Sequence, residues 1–560
     1  MARYSMGLDF GTESVRALIV DVQTGEEMGS AVVAYPHGVI TNVLPVDGGT
    51  SLPRDWALQD PDDYLTALSQ VVPAALNAAG VKGSEIVALG VDFTACTILP
   101  TKADGTPLCR LDEFRRQPHA WVKLWKHHGA AQEAEDITTT ARQRGEPFLR
   151  YFGGAISSEW LLPKTLQIWR EAPAVYAAAD HIVEGGDWLV WQLTGVLTRN
   201  ATAAGYKGMW THEHGFPSEA FLAAVDPGIH NLYREKVSGP IKAPGERAGG
   251  LTRVWSECLG LRAGTPVSVA TIDAHAGVPG CGVVRPGTMA IIMGTSSCHM
   301  LLAKEPVFFQ GFAGLVKDGI VRGYYGYESG QTAVGDIFAW FVRECTPAEI
   351  TSAALASGRS PHEILTERAD RLRPGESGLI ALDWWNGNRS ILMDARLSGL
   401  LLGATLNTRA HEIYRALIEA TAFGTRVIVE SYVNAGISIA DVVACGGLAE
   451  RNPMLMQINA DVLRRPIAVA ASSQTVALGA AMFGALAAGS SNGGYDSMEE
   501  AAAHMVRSPK ARYVPVSENA EAYEHLYAIY LLLHDQFGRG TKVMAELRRI
   551  AAAQEHGGNA

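Results

Sequence analysis

The sequence predicts an α/β protein made of two similar domains that face a central cleft. Three observations predict it. The chain has 560 residues, which at about 150 per domain gives room for two to four domains. Its composition is 47% hydrophobic and 19% charged, enough for large cores and far from a disordered or collagen-like chain. One unusual glycine hairpin occurs twice, and apolar strands alternate with helices in the second half, as α/β layers require.

The first hairpin runs from Met6 to Asp21, a strand, a turn at Gly11-Thr12 and a second strand. The second runs from Thr288 to Leu302, with the same layout around Gly294-Thr295-Ser296-Ser297. Two copies so far apart are no solenoid and fit two related domains. Glycine at the bend lets backbone approach a ligand closely. The adjacent N–H groups and the Thr and Ser hydroxyls can then meet an anion such as phosphate. Asp9, beside the first bend, would repel a phosphate unless a cation lay between them. It is therefore read as a contact for Mg²⁺.

A third glycine element closes a strand at Asp441–Gly447. Leu448 to Arg451 reads as a loop, and Asn452-Pro453 starts a helix with asparagine as cap and proline in the first turn. Met454, Leu455, Ile458 and Val462 give that helix an apolar face. Strand, Gly446-Gly447 and capped helix suit a nucleotide site, although an ordinary βα turn fits them equally well. Before this element, Ile413, Leu417, Ala420, Phe423 and Val427 keep helical spacing from Glu412 to about Tyr432. After it come a strand, Pro466 to Ala471, and a Gly/Ala-rich helix from Val476 to Ala488. These 13 uncharged residues are too few for a bilayer, which needs about 20, and suit a buried helix. The domains are expected at 1–284 and 285–548, with a frayed tail over 549–560. Gly280, Gly282, Pro286 and Gly287 punctuate the border as a candidate hinge.

Charge and cysteine content narrow the classes further. With 47 Lys+Arg against 58 Asp+Glu the formal net charge is −11, so nothing draws the chain as a whole to nucleic acid or an anionic membrane. Seven scattered cysteines form no Cys-x-x-Cys pair. They argue against a disulfide framework or zinc module and for reduced thiols in a cytoplasmic protein. The N-terminus, Met1-Ala2-Arg3-Tyr4-Ser5, runs straight into a strand and carries no signal-peptide pattern. His127 and His128 lack further histidines at ligand spacing and are not read as a metal site.

The paired hairpins and the Gly446-Gly447 element resemble the actin-like (ribonuclease H-like) ATPases. The stretches Ser398–Leu406 and Tyr414–Gly424 resemble the FGGY family of carbohydrate kinases. So do Gly90-Val91-Asp92-Phe93-Thr94-Ala95-Cys96, Trp121–His128, Ile156–Trp160, Glu328–Gln331 and Asp383–Arg389, and the likeness covers residues 6 to 545. Two features depart from the wider family. Trp125 is followed by Lys126-His127-His128, and the adenosine motif reads Gly446-Gly447-Leu448. Both fit one ketopentose-kinase branch, so positions there cannot be carried over from other branches.

This resemblance implies transfer of the γ-phosphoryl of ATP, with Mg²⁺, to the terminal hydroxyl of a ketopentose, L-ribulose first, with xylulose or a pentitol such as ribitol as the alternative. Asp273 follows the strand Ala270-Thr271-Ile272 and precedes a small-residue helix. From spacing alone it is equally a helix cap; the resemblance implies the catalytic base and a sugar contact. It also implies sugar contacts at Ala95, Lys207 and Glu328. Gly11, Thr12, Gly294 and Thr295 would hold phosphate, and Gly335, Gly446, Gly447 and Asn452 the adenosine. Trp125 reads equally as a sugar-packing or a core residue. The expected partners are the sugar and ATP, with neither nucleic acid nor membrane, and a homodimer as an open option. An actin-like filament or chaperone needs no alcohol-facing base, and a chaperone would need a peptide-binding region for which no residues remain.

Overall fold

The computed structural model describes residues 3–557. Strands β1 (Tyr4–Phe10), β2 (Ser14–Asp21) and β3 (Glu27–Ala34) form an antiparallel meander. Parallel strands extend it from the β1 side: β4 (Ile86–Phe93), and then β6 (Pro266–Ser268), flanked by the antiparallel β5 (Arg247–Gly250). The two-residue β7 (Thr271–Ile272) also pairs with β4. The order is β5-β6-β4-β1-β2-β3.

The second half repeats the plan. Strands β8 (Thr288–Met293) and β9 (Ser297–Ala303) lead into β10 (Gly314–Lys317) and β11 (Tyr325–Gln331), again antiparallel. Parallel β12 (Asp441–Cys445) and β13 (Ile467–Val469) extend the other side, closed by antiparallel β14 (Ala511–Tyr513). The order is β10-β11-β9-β8-β12-β13-β14. In both sheets the glycine hairpin is central and its first strand meets a parallel neighbour, so the duplication expected from the hairpins extends to whole sheets.

The helices that frame the cleft are α1 (Pro61–Ala79), α2 (Asp273–Gly280), α3 (Gly335–Cys345), α4 (Ala410–Asn434), α5 (Pro453–Leu463) and α6 (Thr475–Ala488). Helix α6 is the uncharged Gly/Ala segment. It packs on β1, β4 and α2, so a helix from the second half completes the core of the first. Close approach explains its composition: a Cβ on Gly90 would lie 1.7 Å from the Ala480 carbonyl oxygen, and one on Gly479 1.8 Å from that of Ala276. Among the described residues no helix is long and apolar enough to cross a membrane, and all seven cysteines are free.

Four local expectations shift. The long helix is α4, Ala410–Asn434, and the strand expected at Pro466–Ala471 contracts to β13. Leu448 to Arg451 is a helical turn, Gly447–Arg451, because Gly446 at φ +93° lets the chain turn directly from β12 into it. The expected tail is helical over Val543–Gly557. Arg548 ties that helix to the carbonyl oxygens of Ala395 and Leu397, at 2.9 and 3.0 Å. Residues 558–560 lie outside the described residues.

Candidate active site

Between the two sheets lies a cavity of about 960 Å³. Both hairpins approach it, and Asp9, Ala95, Lys207, Asp273, Glu328 and the Gly294-Thr295-Ser296 tip line it. Gly11, Thr12, Gly335, Gly446, Gly447 and Asn452 do not line this cavity. Gly11 and Thr12 form the first bend, Gly335 and Gly446 pack on the second hairpin, and Gly447 and Asn452 stand at the two ends of the helical turn that follows β12. The Gly335 N–H donates to the Gly294 carbonyl at 3.1 Å. A Cβ on Gly446 would lie 2.4 Å from the Met293 carbonyl oxygen, so only glycine lets the β12 end approach β8 this closely. Asn452 caps α5 as expected, its Oδ1 accepting from the Leu455 N–H at 3.0 Å.

Asp273 opens α2, its Oδ1 accepting from the Ala274 N–H at 2.6 Å. Burial pushes its carboxyl up to about 7, against the weaker opposing effect of that N–H and the nearby charge of Lys207. A carboxylate poised there changes protonation near neutrality, where general bases work best. Asp9 is paired with Arg16 at 3.2 Å, and burial raises it despite that partner.

Lys207 and Glu328 come from opposite halves and meet in a buried ion pair. Lys207 Nζ is 3.0 and 3.2 Å from the two carboxylate oxygens. Burial alone would raise Glu328, but Lys207, with His275 and Arg389, holds it down to about 2. His275 Nε2 stands 3.5 Å from Glu328, and burial lowers the imidazole to about 3. The cavity wall therefore offers a fixed cation beside a fixed carboxylate, a donor and an acceptor for adjacent hydroxyls.

Several contacts went unforeseen. Trp125 lines the cavity and donates through Nε1 to Thr12 Oγ1 at 3.1 Å, linking the first hairpin to the cavity wall. Lys164, fully buried, holds the Cys96 and Leu124 carbonyls at 2.6 and 2.7 Å. It thereby fixes the backbone next to Ala95, where Cys96 takes φ +54°. Asp92 is fully buried, and neither carboxylate oxygen has a hydrogen-bond partner. It stands opposite Asp9 in the β1–β4 register, and burial, with the charges of Asp9 and Asp273, raises it far above the carboxylate range. Its sequence signal was an acid near the end of a strand in the Gly90–Cys96 segment; only strand pairing places it beside Asp9.

Two related sheets, glycine hairpins turned to one cleft and a poised carboxylate between them define a two-domain, actin-like phosphotransferase. The comparisons with known proteins agree. The pattern of the FGGY family of carbohydrate kinases, N-terminal domain, matches residues 4–280, and that of its C-terminal domain residues 289–488. The chain belongs to the FGGY family of carbohydrate kinases. It is 51% identical over 547 residues to a ribulokinase of Geobacillus thermodenitrificans, covering 98% of this chain and 97% of that one. It is 47% identical over 553 residues to a ribulokinase of Mycolicibacterium smegmatis, covering 99% and 97%. Among solved structures, a xylulose kinase from Rhodospirillum rubrum shares the fold at TM-score 0.77 and 21% identity, covering 95% of this chain and 99% of that one. Plasmodium falciparum glycerol kinase with ADP does so at 0.74 and 16%, covering 96% and 98%.

Proposed function

We propose that this kinase transfers the γ-phosphoryl of ATP to the terminal hydroxyl of L-ribulose, giving L-ribulose 5-phosphate and ADP in L-arabinose catabolism in the cytoplasm. The substrate follows the relatives named ribulokinase, at about half identity over nearly the whole chain. One observation carries the chemistry: Asp273, raised to about 7, borders the cavity between the two hairpins. In this reading Asp273 accepts the hydroxyl proton as the oxygen attacks phosphorus. Lys207 and Glu328 position the sugar by donating to and accepting from neighbouring hydroxyls, and the Ala95 backbone shapes the wall. Thr12 and Thr295, with the backbone at Gly11 and Gly294, hold phosphate oxygens. Gly335, Gly446, Gly447 and Asn452 border the adenosine.

The residues fit a divalent cation. Asp9 and Asp273 both border the cavity with hard oxygen donors, and the buried Asp92 carboxyl, opposite Asp9 in the strand register, has no hydrogen-bond partner. Asp9 is the residue to hold Mg²⁺; the bound ion would neutralise phosphate charge. The domain border lies at 284/285, with 280–287 as hinge; Gly282 and Gly287 take φ +83° and +102°, and closure over both substrates would exclude water. A coupled ADP-release assay over ketopentoses and pentitols tests the reading. L-Ribulose should give the highest kcat/KM; a clear preference for xylulose or ribitol reassigns the substrate.

A further inference from the structure

One cation in the cleft is left unused by this mechanism. Arg389 borders the cavity on the second half, and its guanidinium has no ion-pair or hydrogen-bond partner among the described residues. The other cationic groups there are committed: Lys207 to Glu328, Arg142 to the Gly154 carbonyl and Arg548 to two carbonyls. The loop that carries Arg389 is held rigidly. Thr332 Oγ1 donates to the Gly387 carbonyl at 2.9 Å, and the Gly330 N–H donates to Ser390 Oγ at 3.2 Å. Asn388 and Asp394 exchange two backbone hydrogen bonds at 3.0 Å. The side chain runs over Gly330, where a Cβ would come 3.5 Å from Nη1.

The surroundings decide what the guanidinium meets. Gly330 lies two residues beyond Glu328 on β11, and the carboxylates whose charges reach the guanidinium are Glu159 and Glu328. These belong to the sugar wall. Asp9 and Thr12 mark the phosphate end. Glu159 borders the same cavity from the first half, and the basic side chain paired with it is His128 at 3.9 Å, too long for a hydrogen bond. A donor-only fork on one wall thus faces an acceptor-only carboxylate on the other, a matched pair for the vicinal oxygens of a polyol.

We propose that Arg389 is a sugar-binding, specificity-determining residue that grips the ketopentose from the second half while Glu159 accepts from it across the cleft. The inference deepens the proposed ketopentose kinase reading and rests on it. Losing hydrogen bonds from a charged donor weakens binding roughly 10- to 100-fold. The test is calorimetric titration of L-ribulose, without nucleotide, into wild type, Arg389→Lys, Arg389→Gln and Glu159→Gln, with ADP titrated in parallel and melting curves for each. The expected result is sugar affinity down at least 10-fold in both Arg389 variants and in Glu159→Gln, ADP affinity within 2-fold, and KM for sugar raised far more than KM for ATP. Arg389→Lys keeps charge and bulk, so it serves if Arg389→Gln does not fold. Unchanged sugar affinity in a folded Arg389 variant overturns the inference alone, as does loss confined to ADP. A wild type that binds no ketopentose overturns this inference and the function together.

Discussion

The two hairpins share a backbone but not a chemistry. In the first half, the residue two before the bend glycine is Asp9, and its parallel-strand partner is Asp92. In the second half the same positions are Ile292 and Cys445. Duplication therefore left one end of the cleft rich in carboxyl groups, with Asp273 nearby, and the other apolar. The supports differ as well. The second hairpin is packed by the backbone of Gly335 and Gly446, whereas the first is held through side chains, Trp125 on the Thr12 hydroxyl and Gln59 on the Thr12 carbonyl at 2.7 Å. Under the proposed function a symmetric scaffold becomes directional this way: the acidic side would handle the alcohol proton and a cation, and the glycine side would present neutral donors to phosphate.

The sharpest way to break this contrast is at the base. Asp273→Asn should lower turnover about 10²- to 10⁴-fold with ATP binding retained, measured by ADP release and nucleotide titration. Wild-type activity should rise with pH through about 7 as Asp273 ionises. The stability change has the opposite sign. Because folding raises this carboxyl from 3.8 to about 7, its contribution is fully present below pH 3.8 and is lost as pH rises through 7. The melting temperature of Asp273→Asn should therefore match wild type near pH 4 and exceed it at pH 8. Equal gaps at both pH values would mean that the carboxyl is not raised.

The Lys207–Glu328 pair joins the two sides and gives the next largest effect. Lys207→Met leaves a buried carboxylate without its counter-ion, which costs about 3–5 kcal/mol, readable by denaturant unfolding. The double variant Lys207→Met, Glu328→Met should recover much of that stability, yet bind sugar no better than the single variant. Recovered sugar binding would show that the pair only holds the halves together.

How much of this was legible in sequence follows from what each signal depends on. The hairpins, the capped helix at Asn452-Pro453 and the uncharged α6 are local patterns, and the structure reproduces them. The helical turn at 447–451 was missed because it depends on Gly446 adopting positive φ, which residue type permits without dictating. Asp273 reads from spacing as a helix cap or a base with equal right; the family resemblance implies the base, and the structure adds its place at the border of the cavity. Lys164 acts through carbonyls far away in the chain, and Asp92 and Arg389 owe their place to strand pairing and loop packing, so no spacing could reveal them. Lys164, for example, looks like a surface lysine on an amphipathic helix, yet its ammonium is buried and holds two carbonyls.

The smallest expected effect separates the hairpins themselves. Thr295 is exposed at its hairpin tip, and its backbone carbonyl accepts from the Val334 and Asp336 N–H groups. Its hydroxyl has no hydrogen-bond partner among the described residues, and under the proposed function it would serve phosphate alone. The Thr12 hydroxyl already has a partner, accepting from the Trp125 indole at the cavity wall. Each Thr→Val change removes one neutral hydrogen bond, worth about 0.5–1.5 kcal/mol. Thr295→Val should therefore raise KM for ATP a fewfold and leave sugar affinity in the absence of nucleotide unchanged. Thr12→Val should raise KM for ATP similarly and also weaken sugar binding, since Trp125 loses its anchor. Trp125→Phe should reproduce the sugar effect without the nucleotide effect. If Thr12→Val and Thr295→Val give the same pair of changes, the two hairpins are equivalent in function as well as in backbone, and the directional contrast fails at this point.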